Sequence, residues 1–269
     1  MPSASTPVTQ TSSEVKSSRT IEYLSQPAAV SMADRWFEIS SIDHFWFRRR
    51  FSVLRWLAVQ RILNARNLAE VGCGHGLLQR QVEDAYEREV TGFDLNDGAL
   101  KQSVSRLSKI CCYDIFQRDP GLHEKFDAIF LFDVLEHISD EAQFLEAVSF
   151  HLAPGGILLI NVPAGQWAYS SYDVAIGHKR RYSIEELQKN VCASQFSLNE
   201  WTYWGIPLVP ALLVRKLWLR GEQDQSKIVT AGFDSRSGDF NKIMELIARC
   251  EWLPQKVLGA SVMAVFSKL

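Results

Sequence analysis

Between residues 69 and 79 the chain reads AEVGCGHGLLQ, with glycines at 72, 74 and 76 between an apolar run and a helix-like run. No other stretch limits the fold as strongly. A strand that enters a glycine-rich turn and opens a helix lets the backbone approach a nucleotide closely. The spacing is Gly-x-Gly-x-Gly, whereas dinucleotide sites use Gly-x-Gly-x-x-Gly. Glu70 precedes the first glycine closely. A carboxylate there repels a pyrophosphate and suits a ligand with positive charge near the loop. S-adenosylmethionine (SAM) has such charge, as an ammonium and a sulfonium.

Strands and helices alternate around this loop. NLAEVGC, EVTGFDL, KICCYDIF, FDAIFLFDV and ILLINVP read as strands. LLQRQVEDAY, DGALKQSVSRL and DEAQFLEAVSFHL read as helices between them, the second capped by Asn96 or Asp97. The alternation predicts an α/β fold, a Rossmann-like doubly wound, mostly parallel sheet with helices on both faces. A helix, SIEELQKNVCAS, and a sixth strand, FSLNEWTYWG, follow; SVMAVFSKL closes the sheet edge as an antiparallel seventh. Residues 21–66 predict an aromatic-rich N-terminal helical cap. Residues 67–269 form the main domain, with an apolar helical cap at about 205–258 that contains a polar loop at 220–238. Residues 1–20, rich in Ser and Thr, read as a disordered tail.

The carboxyl ends of the strands carry acids. Asp94 ends the second strand, about 20 residues past the loop, where such folds place a carboxylate against ribose hydroxyls. Asp114 ends the third strand, in reach of an adenine amino group, and Asp133 ends the fourth. With Glu70 they line one edge, which fits a cationic ligand rich in hydroxyls.

AEVGCGHG, GFDLN, YDIF, FDAIFLFDVLEHI and LAPGGILLINVP, in this order, resemble the successive motifs of class I SAM-dependent methyltransferases over roughly residues 66–165. The resemblance implies a seven-stranded sheet with an antiparallel last strand. It implies SAM as cofactor, held by Glu70, Gly72, Cys73, Gly74 and Gly76, by Asp94 and Leu95, by Asp114 and Ile115, and by Asp133. HFWFRRRF (44–51) is similar to a His-Trp-Trp-Phe-Arg-x-Arg signature of a bacterial subgroup, departing at Phe45. DVAIGHKRRYSIEEL (173–187) is similar to that subgroup's Gly-His-x-Arg-Arg-Tyr signature. Members resemble tailoring enzymes of surface-carbohydrate, lipid-linked or secondary-metabolite pathways.

The implied reaction moves a methyl group from SAM to a small-molecule acceptor, with a hydroxyl (O-methylation) the first expectation. Transfer to nitrogen or carbon, or SAM binding without catalysis, is the alternative. Methyl transfer needs alignment above all, and a hydroxyl acceptor also needs a base. His137, after the fourth strand, and His178, in the connection that covers the acceptor, are the candidates. Arg180 and Arg181 suit an anionic group on the acceptor, with Tyr182 beside them; ion pairs to Asp173 or Glu185 are the competing reading. His44, Trp46 and Arg50 are candidates to close over SAM, with Arg48 or Arg50 at its carboxylate; packing on the sheet is favoured for the aromatics. No metal-ligand spacing is evident.

Bulk properties exclude several partners. Net charge is −2, so no basic field points to nucleic acid. The five cysteines show no disulfide or zinc spacing and read as free thiols in a reducing, cytoplasmic setting. No apolar run spans a membrane. YWGIPLVPALLVRKLWL (203–219) reads as cap core or acceptor pocket before it reads as a weak peripheral membrane contact. Oligomeric state is not legible.

Overall fold

Strands β1 (Glu22–Tyr23), β2 (Leu68–Val71), β3 (Thr91–Asp94), β4 (Ile110–Cys112), β5 (Phe126–Phe132), β6 (Leu152–Pro163), β7 (Phe196–Trp204) and β8 (Ser261–Lys268) form one sheet. Their spatial order in the computed structural model is β1-β4-β3-β2-β5-β6-β8-β7. Residues 20–29, 41–222, 224, 227–228 and 238–269 are described. The tail expected at 1–20 lies outside them save for Thr20, as does most of the polar loop at 220–238. Strands β1 to β6 pair in parallel, and β8 is antiparallel to both of its neighbours.

The helices are α1 (Phe45–Asn64), α2 (Leu77–Tyr86), α3 (Asp97–Lys101), α4 (Glu141–His151), α5 (Ser171–Ala175), α6 (Ile184–Cys192), α7 (Val209–Trp218) and α8 (Gly238–Arg249). Several of their starts carry side-chain caps. His44 accepts from Trp46 N, Asn96 from Ala99 N and Asp140 from Gln143 N.

Alternate residues of the central strands feed two cores. Ile129, Leu131, Leu158, Ile160, Val262 and Ala264 pack with Phe144, Leu145 and Val148 of α4 and Ile184, Leu187 and Val191 of α6. Ala128, Phe130, Phe132, Leu159, Met263 and Val265 pack with Val53, Leu54, Leu57 and Ile62 of α1 and Leu78 and Val82 of α2. Burial on both faces explains why these strands read as continuous apolar runs. Each such side chain contributes about 1.5–3 kcal/mol. Helix α1 is therefore a layer of the sheet.

Two expectations are corrected. The sheet has eight strands, because Glu22–Tyr23, at the start of the presumed helical segment, pairs with Cys111–Cys112. Leu24 N and Ser25 N both donate to Cys112 O, and Ala28 N donates to Leu95 O. A two-residue strand has no periodicity to read. The closing strand β8 is interior, and β7 holds the edge. Their burial matches: β8 is buried along six successive residues, whereas β7 has exposed positions at its middle.

Candidate functional site

The glycine loop follows β2. Gly72, Gly74 and Gly76 all have positive φ. A Cβ at Gly72 would fall 2.3 Å from Val134 Cγ2, so the loop passes directly under the turn after β5. Gly72 N and Cys73 N donate to Phe93 O at 2.8 and 3.1 Å, which ties the loop to β3. Asp94 completes the tie. Its Oδ2 accepts from Gly74 N at 2.7 Å and its Oδ1 from Asn96 N at 2.8 Å. Each oxygen keeps a further lone pair. The Cys73 thiol is buried, which pushes its pKa well up.

In the strand order β4-β3-β2-β5, the carboxyl ends set Asp114, Asp94, Glu70 and Asp133 in a row. Asp114 accepts from Phe116 N at 3.0 Å, and its own N–H donates to Ser25 Oγ at 2.8 Å. Leu95 is half-buried and Ile115 buried beside them. Glu70 is buried, and its Oε2 has no hydrogen bond. Burial pushes its carboxyl up to about 8, with Asp94 adding to the rise and Arg50 opposing it.

Asp133 is differently occupied. It has a φ of 58°, a backbone form uncommon outside glycine. Arg50 Nη1 of α1 lies 2.5 Å from its Oδ2. Asn161 Nδ2 donates to its Oδ1 at 2.7 Å, and Trp204 Nε1 donates to Asn161 Oδ1 at 2.8 Å. The Arg50 guanidinium is flanked by the Phe47 and Phe132 rings at 5.1 and 5.2 Å. A chain of partners thus runs from β7 through β6 and β5 to α1. Trp46 packs on Trp204, with ring centres 4.5 Å apart, and Arg48 reaches Glu245 of α8 at 3.4 Å. Of the N-terminal candidates, Arg50 is the one held at the row of acids.

The turn Leu135–His137 and the loop between α5 and α6 make the other wall. His137 and His178 meet edge to face, ring centres 4.9 Å apart. Burial and then the neighbouring His178 push His137 down to about 4, so its ring is neutral at physiological pH. His178 Nδ1 lies 3.1 Å from Asp173 Oδ1. Burial would raise the Asp173 carboxyl, but the His178 contact and the Arg181 charge hold it down at about 2.

Arg181 and Tyr182 are buried on internal partners. Arg181 Nε donates to Asp173 at 2.8 Å, and the Tyr182 hydroxyl donates to Glu141. The Arg181–Asp173 pair is the ion pair weighed in the sequence against an acceptor contact. Arg180 is half-exposed and pairs with Glu141 at 2.7 Å, a partner other than the Asp173 or Glu185 weighed in the sequence. Glu141 also accepts from Asn190 at 2.5 Å. The anchors Glu141, Asn161 and Glu136 were missed in the sequence, whereas Asp173 was named there as a partner for the arginines. A polar residue inside an apolar run was the available signal, as in ILLINVP and DVLEHI.

Residues 69–158, from the glycine loop into β6, match the protein-family model described as a methyltransferase domain. A protein of Mycolicibacterium smegmatis named as a probable S-adenosylmethionine-dependent methyltransferase is 31% identical over 166 residues, 59% of this chain and 62% of that protein. A ubiquinone biosynthesis O-methyltransferase of Thiobacillus denitrificans is 31% identical over 114 residues, 38% of this chain and 47% of that protein. The chain thus spans less than two thirds of either relative. Among solved structures, a SAM-dependent methyltransferase from Archaeoglobus fulgidus superposes with a TM-score of 0.53 at 16% identity, covering 82% of this chain and 94% of that one. The fold is the Rossmann-like one of class I methyltransferases.

Proposed function

We propose that the chain is a SAM-dependent methyltransferase acting on a small-molecule acceptor, with a hydroxyl oxygen as the atom methylated. The observation that carries this is Glu70: a buried carboxyl with an unbonded oxygen, set between a glycine loop and Asp94. That environment calls for a cationic, hydroxyl-rich ligand. SAM supplies an activated methyl group on a sulfonium.

Each residue then has a task. Glu70, with the Gly72–Gly76 loop, receives the amino acid ammonium. Asp94 accepts from the ribose hydroxyls while it holds the loop, and Asp114 faces the adenine side beside Leu95 and Ile115. Asp133, balanced by Arg50, shapes the floor beneath the methyl end. His178 is the candidate to hold the acceptor's proton, since Asp173 orients its ring. His137, down at about 4, is the weaker base and serves better to position the acceptor. Arg180 remains the candidate contact for an anionic acceptor. The name of the Thiobacillus relative supports oxygen as the acceptor atom.

Calorimetry with S-adenosylhomocysteine and with NAD, each in two buffers of different ionisation heat, tests the reading. Binding of S-adenosylhomocysteine and not of NAD is expected. A proton should leave on binding, because Glu70 holds one up to about pH 8 and a nearby ammonium favours the carboxylate. The sign follows: affinity rises with pH from 6 to 7.5, by at most about tenfold per unit. Glu70→Gln should remove both the proton release and the slope. Binding of NAD alone would overturn the assignment, and binding without methyl transfer to any acceptor would leave a non-catalytic SAM protein.

The apolar cap bears on how acceptor arrives. No helix among the described residues is long and apolar enough to cross a membrane. Val214, Leu217 and Trp218 of α7 are 66%, 69% and 72% exposed, which supports peripheral contact of 203–219 with lipid. The basic pair does not contribute: Arg215 lies 3.8 Å over the Tyr172 ring, and Lys216 donates to Trp167 O. Co-sedimentation should therefore occur with neutral as well as anionic vesicles and weaken in Leu217→Ser. No pelleting with either lipid would end the membrane reading.

A further inference from the structure

Glu136 and His137 stand in the turn after β5, and His178 stands in the loop after α5. Far apart in sequence, they converge: one ligand atom from each lies within 4.8 Å of the other two. The convergence is built by backbone. Lys179 N donates to Glu136 O at 2.8 Å, and Arg180 donates to Ile138 O at 3.2 Å, stitching the loop to the turn.

The chemistry inside is incomplete. Glu136 is fully buried, and neither of its carboxylate oxygens has a hydrogen bond. His178 Nε2 faces it, 3.6 Å from Glu136 Oε1. The Asp173 carboxylate, buried and paired to Arg181, can only accept, so the Nδ1 of a neutral His178 carries the proton. The Nε2 lone pair is then turned toward a carboxylate. Either a proton on the Glu136 carboxyl or a metal ion between it and Nε2 would join the two. The His137 ring stands on the same space, with a hydrogen bond to the Gly177 backbone fixing its orientation. A carboxylate behind one imidazole and a backbone group behind the other is the outer shell that metal-bound histidines have.

We propose that Glu136, His137 and His178 bind one divalent first-row transition ion of the zinc type. Two imidazoles and one carboxylate are a donor set for such ions, and three protein ligands leave positions open. Bonds of about 2.1 Å place tetrahedral ligand atoms about 3.4 Å apart, so the widest separation closes by up to about 1.4 Å on binding. The open positions suit an oxygen ligand. With an ion bound, His178 is its ligand and the base role passes to the ion, which would acidify the bound hydroxyl; that this oxygen is the acceptor's rests on the methyltransferase reading, whereas the ion site itself does not.

The full chain, stripped with a chelator, is titrated with Zn2+ in equilibrium dialysis, and Co2+ is added for its visible spectrum. One equivalent should bind, with cobalt bands typical of nitrogen and oxygen donors and no thiolate charge transfer. His178→Ala and His137→Gln should each weaken binding about tenfold or more, whereas Cys250→Ser, at an exposed thiol, should not. If His178→Ala does not fold, His137→Gln decides. Absence of saturable binding, binding indifferent to the folded histidine variants, or binding lost in Cys250→Ser would overturn the proposal, leaving a shared proton between Glu136 and His178. S-adenosylhomocysteine is titrated into the same samples. Its binding without an ion site sinks the ion alone, and its failure sinks the methyltransferase reading alone.

Discussion

The Asp94→Asn variant will bind S-adenosylhomocysteine about a hundredfold more weakly than the native chain, or worse, and will unfold at lower temperature. Both carboxylate oxygens already accept a backbone N–H, from Gly74 and from Asn96. An amide of the same shape has one oxygen and must set its NH2 against one of those donors. One of the two backbone bonds is then lost, although Gly72 N and Cys73 N still hold the loop to Phe93 O, and the ribose hydroxyls lose a carboxylate acceptor. Hydrogen bonds to a charged group are worth about 1.5–3 kcal/mol each, and every 1.4 kcal/mol is about tenfold in affinity. Two lost contacts give roughly 10² to 10⁴. Calorimetry reads the affinity and a thermal melt reads the loop. Affinity within threefold of native would remove Asp94 from the ligand's contacts.

Arg50→Met carries the second large effect. The Arg50 side chain is 7% exposed and lies 2.5 Å from Asp133, which is 28% exposed. Removing one partner of a buried ion pair costs about 3–5 kcal/mol, and the partial exposure of Asp133 lowers this to about 2–3 kcal/mol. Methionine keeps the contact with Phe47 and Phe132, so the loss reports the charge. Arg50 also opposes the rise of the Glu70 carboxyl. Without it Glu70 titrates above about 8, and cofactor affinity at neutral pH falls as well. Adding Asp133→Asn should restore most of the stability, because no carboxylate is then left unpaired, but not the affinity. Urea denaturation of the two single variants and the double variant completes the cycle. An unchanged midpoint for Arg50→Met would show that the pair stabilises nothing.

The fold was legible where pattern was long. Runs such as FDAIFLFDV and ILLINVP, separated by amphipathic helices and glycine turns, encode buried parallel strands by composition alone. Glu22–Tyr23 did not, since its pairing to Cys111–Cys112 is a tertiary event that two residues do not announce. The place of β8 was readable in principle: seven strand residues without a charged member before Lys268 belong inside a sheet. In the site, Glu70, Asp94, Asp114 and Asp133 stood at strand ends as their spacing required. What each acid does there depends on partners distant in sequence. Arg50 comes to Asp133 across the sheet from α1, and Asn161 comes from the next strand. The same limit applied to Arg180 and Arg181. Asp173 was visible as a partner for them, but Glu141, which takes Arg180, is brought there by a loop closing on a helix.

The interior position of β8 has a consequence for the order in which the chain is made. Of the eight strands it emerges last from the ribosome, yet it joins β6 to β7. Until it arrives, β6 presents an open edge of peptide groups, and β7 lacks its strand neighbour among the described residues. Open edges recruit the edges of other chains. From the synthesis of β6 until Lys268 is added, the nascent protein is therefore in a form prone to stick. Its yield in a cell should depend on chaperones that shield nascent chains more than on the stability of the finished sheet.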